Sequence, residues 1–222
     1  MRVLTIETST PVEDVAVVEG GEVLAARRLA AGRGRAEELI IAIAETLRES
    51  GTDLRALDAI GVSIGPGRFT GLRVGLATAK GLSAVSGVPV RPVPTLEALA
   101  RSARDEGELV GAALDARRGE VYGALFVLGR APRRLLDDAA EPPDAFAARV
   151  AGAAAGKPVL LVGTGAVAYR DELMRALGDA ARFPSEELQR PSARAIAAMV
   201  EGASAAPPPD LDALEPIYLR GV

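Results

Sequence analysis

"SIGPGRFTGLRVGLATAKGL", Ser63 to Leu82, sets a glycine- and proline-rich turn between an apolar strand-like run and a helix-like one. Two readings compete for it. Small residues let backbone N–H groups converge at a helix N-terminus, where the helix dipole favours an anion, so the turn could cradle a phosphate. Alternatively, Gly65 and Gly67 supply backbone angles that other residues avoid, Pro66 stiffens the corner and Gly71 opens the helix. The spacing favours the corner. A Walker loop carries Lys and then Ser or Thr directly after its second conserved glycine, whereas Leu72 and Arg73 follow Gly71 here. The Rossmann spacing fails as well, because Thr70 stands where the third glycine belongs.

Working outward, "RVLTI" (2–6), "EDVAVVEG" (13–20) and "EVLAARRL" (22–29) read as strands, and Gly20-Gly21 is a hairpin signal. "GRAEELIIAIAETLRESG" predicts a helix with Ala36, Leu39, Ile40, Ile43 and Leu47 on the core face and Gly51 as its stop. The strand "AIGVSIG" precedes the glycine turn. A helix to Gly87, the strand "VPVRPV" and a helix from about Thr95 follow. From Glu108 the order starts again: a hairpin of "LVGAALDA" and "GEVYGALFVLG", a weak strand at "RRLLD", the helix "DAFAARVAGAAAG", the buried-strand run "PVLLVG" and the helix "AYRDELMRALG". "SARAIAAMVEGA" adds a last helix before the stiff "APPPDLD" stretch. Two tandem β-β-β-α-β-α units predict an α/β fold of duplicated ribonuclease-H-like lobes, an architecture that binds nucleotide in the cleft between its lobes. The charged stretch "RSARDEGE" places the division between lobes 1–105 and 106–222, with the helix at 192–204 free to pack back on the N-terminal lobe.

Composition narrows the chemistry. The chain has 222 residues, 49% of them hydrophobic, enough for a real core. Cysteine and histidine are both absent, which removes disulfides, Ser-His-Asp and Cys-His triads, and His- or thiolate-ligated metals. The formal net charge of -4 argues against unassisted binding to nucleic acid through a broad basic face. The N-terminal "MRVLTIETSTPVEDVAVV" lacks an apolar signal-peptide core, and no window reaches the roughly 18 apolar residues of a membrane span, so a cytoplasmic protein without a membrane partner is expected.

Read together and in order, "VLTIETST", "GPGRFTGLRVGLATAKGL", "PVPTLEALA", "LDARRGEVYGALF" and "PIYLR" resemble the TsaB (YeaZ) family of bacterial tRNA threonylcarbamoyladenosine biosynthesis proteins. The resemblance spans nearly the whole chain, and the glycine segment is its most specific element. It implies a sugar-kinase/Hsp70/actin-type fold. It also implies a non-catalytic scaffold that supports formation of N6-threonylcarbamoyladenosine in tRNAs reading ANN codons. Such a protein forms a heterodimer with its catalytic paralogue TsaD, is joined by the ATPase TsaE, and meets tRNA only within the complex. No tightly bound cofactor is implied, with ATP or ADP at the subunit junction of the complex, and an isolated homodimer is a further option. The catalytic relative carries a His-x-x-x-His metal motif, which this histidine-free chain cannot form. Many members have histidine at the start of the first helix, where this chain reads "RAEELIIAI" from Arg35, so any role of that histidine is missing.

Glu7 ends the first strand where related kinases place an acid near Mg-phosphate, but a single carboxylate without a second acid reads better as a solvated or capping group. It joins Gly65 and Gly67 as the weak candidates for nucleotide contact. Asp115, Arg117, Arg118 and Glu120 read as a hairpin tip that could meet RNA or a partner's acids, and Arg130, Arg133 and Arg134 form a second small basic cluster. The helices say more. The second carries only Arg73 and Lys80 as charges, seven apart and on one face, with Gly75 and Gly81 lowering its intrinsic stability by roughly 1 kcal/mol each, as close approach of another backbone would justify. In the first helix, Ile41 falls opposite Leu39, Ile43 and Leu47. Ile41, Ala44, Arg73, Gly75, Lys80 and Gly81 are therefore the expected partner-binding residues, since in the resembled family these helices contact TsaD. Two rival functions remain. A stand-alone ATP-dependent phosphotransferase needs acids on Mg-phosphate in both lobes, and a glycoprotease-like peptidase needs an unusual Ser-Lys dyad.

Overall fold

Val3, Leu4, Thr5 and Ile6 form an unbroken run without polar alternation, as suits a strand buried on both faces, and the first strand lies at the centre of its sheet. The computed structural model describes residues 1–29, 36–129 and 132–220. In the first half, β1 (Arg2–Glu7), β2 (Glu13–Glu19), β3 (Glu22–Leu29), α1 (Ala36–Glu49), β4 (Ala59–Gly65), α2 (Phe69–Ser86) and β5 (Val90–Pro94) follow the order read from the sequence. Their sheet runs β3-β2-β1-β4-β5, with β1 antiparallel to β2 and parallel to β4. Then come α3 (Thr95–Ser102), β6 (Leu109–Arg117), β7 (Glu120–Val127), β8 (Arg133–Glu141), α4 (Pro143–Ala154), β9 (Val159–Val162), α5 (Thr164–Ala168), α6 (Arg170–Leu177), β10 (Ala181–Arg182) and α7 (Ala193–Gly202). The second sheet, β10-β9-β6-β7-β8, repeats the first strand for strand when read from β8. The duplicated α/β architecture is thus present.

The chain divides into two compact units, Met1–Thr95 with Ala193–Ile217, and Leu96–Ser192 with Tyr218–Val222. This differs from a division at 105/106. Leu96, Leu99, Ala100 and Ala103 of and after α3 pack with Val110, Leu114 and Phe126 in the second unit's core. Conversely, α7 covers the first unit's sheet, where a side chain at Gly61 would stand 2.7 Å from Val200 and 3.1 Å from Ile196. The opposite face of that sheet buries Leu4, Ile6, Val15 and Ile60 against Leu39 and Ile43 of α1 and Leu76 of α2. In the second unit, Phe146 and Val150 of α4 and Leu173 of α6 close the other face over Val121, Leu125 and Leu161.

Three local readings change. The buried side of α1 is Leu39, Ala42, Ile43 and Thr46, so Ile40, about 100° round the helix from Leu39, is 52% exposed, and Ala36 is exposed too. The helix expected from Ala168 is two helices meeting at Tyr169, whose φ and ψ of -115° and 31° leave the helical region. Finally, the two-residue β10 completes the second sheet, too short to leave a periodic signal.

Candidate functional site

The glycine turn is built around its own chain. Thr8 and Ser9, directly after β1, lie where side chains on the turn would go. A Cβ at Gly67 would stand 2.6 Å from the Ser9 carbonyl oxygen, at Gly71 2.0 Å from that of Thr8, and at Gly75 2.2 Å from Thr8 Oγ1. Two N–H groups of the turn are bound within the unit: Arg68 N donates to the Ser9 carbonyl at 2.8 Å and Gly65 N to Thr95 Oγ1 at 3.1 Å. Gly65 has a φ of 117°, and a Cβ added there would stand 2.6 Å from the Ile217 carbonyl oxygen. The glycines of the turn fit the β1–β2 connection, and Thr8 Oγ1 donates to the Gly71 carbonyl at 2.8 Å to fasten it.

Glu7 is 1% exposed, which corrects the reading of a solvated strand-end carboxylate. Its capping role stands. Ser9 N donates to Oε1 at 2.7 Å, Ser9 Oγ donates to the same oxygen, and Ser63 Oγ of β4 donates to Oε2. With both oxygens engaged inside the unit, the group does not fit a Mg-phosphate ligand. Burial raises its pKa above the ordinary 4.5, opposed by the Ser63 and Ser9 hydrogen bonds and reinforced by Asp14. The native state therefore holds the proton more tightly than the unfolded chain. Glu7's contribution to stability is complete below pH 4.5 and is lost as pH rises through the folded pKa. Glu7→Gln stays neutral, so its stability relative to wild type is expected to climb with pH above 4.5 and then level off. Urea denaturation across acidic to neutral pH reads this directly, and a difference independent of pH would contradict it.

The helices covering this region expose several apolar residues. On α1, Ile40, Ile41 (57% exposed) and Ala44 point outward. On α2, Phe69, Arg73, Ala77, Gly81 and Val85 are exposed, and the Arg73 guanidinium lies 3.9 Å from the Phe69 ring centre. Between the helices runs an apolar groove of about 490 Å³ lined by Ile40, Arg73, Val74, Ala77, Gly81 and Leu82. Ile41 faces a second, more polar groove beside β3, where Arg27 pairs with Glu45 at 3.2 Å and Glu49 at 3.1 Å. Of the expected partner-binding residues, Ile41, Ala44, Arg73 and Gly81 are exposed, Arg73 and Gly81 at the groove between the helices and Ile41 at the second groove, and Lys80 is half-buried. Gly75 departs from these, because it is buried against Thr8 and serves the unit's own packing. Sequence reasoning placed Ile40 on the core face and did not single out Phe69 and Val85, for which the apolar excess on α2 was the available signal.

Elsewhere, Asp115, Arg117, Arg118 and Glu120 do form a hairpin tip, with Arg117 paired to Asp115 at 3.4 Å. Arg134 pairs with Asp138 and stacks over Phe126, Arg133 begins β8, and Arg130 lies outside the described residues, as does Arg35. Among the described residues no carboxylate cluster could hold a metal, and no helix is long and apolar enough to cross a membrane.

A sequence profile of the family described as TsaD, tRNA N6-adenosine threonylcarbamoyltransferase, matches residues 29–203. The tRNA threonylcarbamoyladenosine biosynthesis protein TsaB of Haemophilus influenzae is 39% identical over 124 residues, 55% of this chain and 52% of that protein. The chain thus spans about half the length of the curated relatives it matches. The solved structure of YeaZ from Pseudomonas aeruginosa superposes with a TM-score of 0.81 at 28% identity, covering 98% of this chain and 99% of that one. A ROK hexokinase from Thermus thermophilus shares the fold alone, at a TM-score of 0.57 and 15% identity over 91% of this chain and 100% of that one. With the same tandem sheets, a full-length match to YeaZ and the profile running through both units, the chain belongs to the tRNA N6-adenosine threonylcarbamoyltransferase family and stands within it among the TsaB (YeaZ) proteins.

Proposed function

We propose that this chain is an accessory subunit of tRNA threonylcarbamoylation that acts by docking on a TsaD-type catalytic subunit through the α1/α2 face, without performing the chemistry itself. The observation that carries the reading is the groove between α1 and α2 lined by Ile40, Arg73, Ala77 and Gly81, with the apolar lining that protein interfaces use, and the exposure of Ile41 and Ala44 further round α1. The relatives' names supply the pathway. The buried, hydroxyl-bound Glu7 and the self-filled glycine turn count against a stand-alone phosphotransferase. The absence of His and Cys counts against a common peptidase. A TsaE-type ATPase completes the assembly, ATP or ADP is expected at the subunit junction rather than held by this chain alone, and the setting is the cytoplasm. The same apolar face offers a route to a homodimer when the partner is missing.

The test is titration of the purified chain with a TsaD-type subunit, followed by threonylcarbamoyl transfer to tRNA with each component omitted in turn. A stable complex, and transfer that needs both proteins, are expected. Transfer by this chain alone, or no association at tens of micromolar, overturns the proposal.

Binding of tRNA by the isolated chain is expected to be weak and strongly salt-dependent. A net charge of -4 leaves small arginine clusters as the attraction for phosphate. Sub-micromolar affinity at physiological salt, read by filter binding, would contradict this.

A further inference from the structure

At the tip of the β6–β7 hairpin, Arg117, Arg118 and Gly119 hold φ values of 63°, 59° and 78°. Glycine adopts this backbone freely. An arginine does not, because its Cβ crowds the following carbonyl, and turns of this kind select Asn, Asp or Gly. Two consecutive arginines in the left-handed region are thus a poor choice for stability alone, and strained positions of this sort persist where the side chain serves another purpose.

The tip's backbone is braced from within the second unit. Asp115 Oδ1 accepts from Arg117 N at 2.8 Å, while Arg220 donates to the carbonyls of Ala116 at 3.0 Å and Arg117 at 3.4 Å. Arg220 also pairs with Glu120, and its guanidinium stands 5.8 Å from the Tyr122 ring centre. Both acids of the tip are therefore matched, Asp115 by Arg117 and Glu120 by Arg220. Arg118 is exposed and has neither an ion pair nor a hydrogen bond among the described residues, and the Arg117 side chain is 78% exposed. One positive charge is left over on a rigid, convex tip.

The geometry points to the β6–β7 tip as a contact for the phosphodiester backbone of RNA, with Arg118 on one phosphate and Arg117 exchanging Asp115 for a second. The inference rests on the proposed role in tRNA modification for the presence of RNA. A guanidinium fork matches phosphate geometry, and contacts of this kind position RNA without reading its sequence. An acidic protein partner is less well served: Arg117, Arg118 and Gly119 are all exposed and none of the three offers an apolar side chain for an interface core.

The experiment compares the full chain with the double variant Arg117→Gly, Arg118→Gly, which relieves the strain and should melt no lower than wild type. Binding of bulk tRNA is measured from low to physiological salt. The slope of log affinity against log salt is expected to become shallower by about one to two, the loss of one or two phosphate contacts. The Arg117→Lys, Arg118→Lys variant, which keeps the charge, should retain the slope. An unchanged slope and affinity in the glycine variant overturn the inference, as does wild-type chain that fails to bind tRNA even at low salt. Unchanged tRNA binding with lost association to the TsaD-type subunit also overturns it and assigns the tip to a protein. Failure of the docking proposal is read separately, in the titration of wild-type chain with that subunit.

Discussion

Ile41→Glu is expected to fold as the wild type does and to bind the TsaD-type subunit on the order of a hundredfold more weakly, or worse. At 57% exposure the side chain contributes little to its own unit, and substitutions at such positions usually shift stability by no more than about 0.5 kcal/mol. In a docked interface the balance changes. Losing the burial of an isoleucine forfeits roughly 1.5 to 3 kcal/mol, and an unpaired carboxylate in a dry interface adds several more before relaxation. At about 1.4 kcal/mol per decade, even the smaller sum exceeds two decades. Glu37 and Glu45, one turn away on either side, add like charge, and the arginines lining the same groove are already paired, Arg27 with Glu45 and Glu49 and Arg28 with Asp14. Ile40→Glu, at the wall of the apolar groove, should behave in the same way. Thermal melting and calorimetric titration separate the two effects. Unchanged affinity in both variants would remove this face from the interface, and unfolding of Ile41→Glu would place the residue in the core.

Gly71→Ala and Gly81→Ala, ten residues apart on one helix, should have opposite signs. A methyl at Gly71 would sit 2.0 Å from the Thr8 carbonyl oxygen, a backbone atom that cannot swing aside. Thr8 is fully buried and tied to the Gly71 carbonyl, so relief requires moving α2 off β1's end. Overpacking usually costs about 1–3 kcal/mol, and a collision with fixed backbone belongs at or above the upper end, far outweighing the helix-propensity gain of roughly 1 kcal/mol. Against a typical total of about 5–15 kcal/mol, that is a large loss. At Gly81 nothing lies within 4 Å of the added methyl, so the helix should gain about 0.5–1 kcal/mol. Urea midpoints of the two variants decide the matter. A Gly71→Ala protein as stable as wild type would mean that Thr8 does not occupy the turn.

How much of this was legible beforehand varies by residue. Short apolar runs and glycine punctuation announced β1 to β4, and helical periodicity announced α1, α2 and α4, because those patterns follow from backbone geometry within a few residues. The duplicated α/β fold followed from the tandem element order. The motifs from "VLTIETST" to "PIYLR" carried the family. Rotation about the α1 axis was not legible. Leu39, Ile40, Ile41, Ala42 and Ile43 form an unbroken apolar run, and periodicity cannot choose a buried face when neighbours on every side are apolar. Glu7 read as solvated because a carboxylate at a strand end is usually so; its burial depends on Ser63, 56 residues away. Gly75 looked like an interface residue for the same reason. The Thr8 side chain that fills its space lies on another element, and only three-dimensional folding brings the two together. The sequence reading assigned α3 to the first lobe and left α7 free to pack back on it, and the structure puts α3 in the second unit and α7 in the first. An amphipathic helix states that one face must be buried and not which sheet will bury it. Local patterning thus determined the elements and their order, while the choice of face, the closing helices and the filling of the glycine turn belonged to contacts between residues far apart in the chain, which no window of sequence contains.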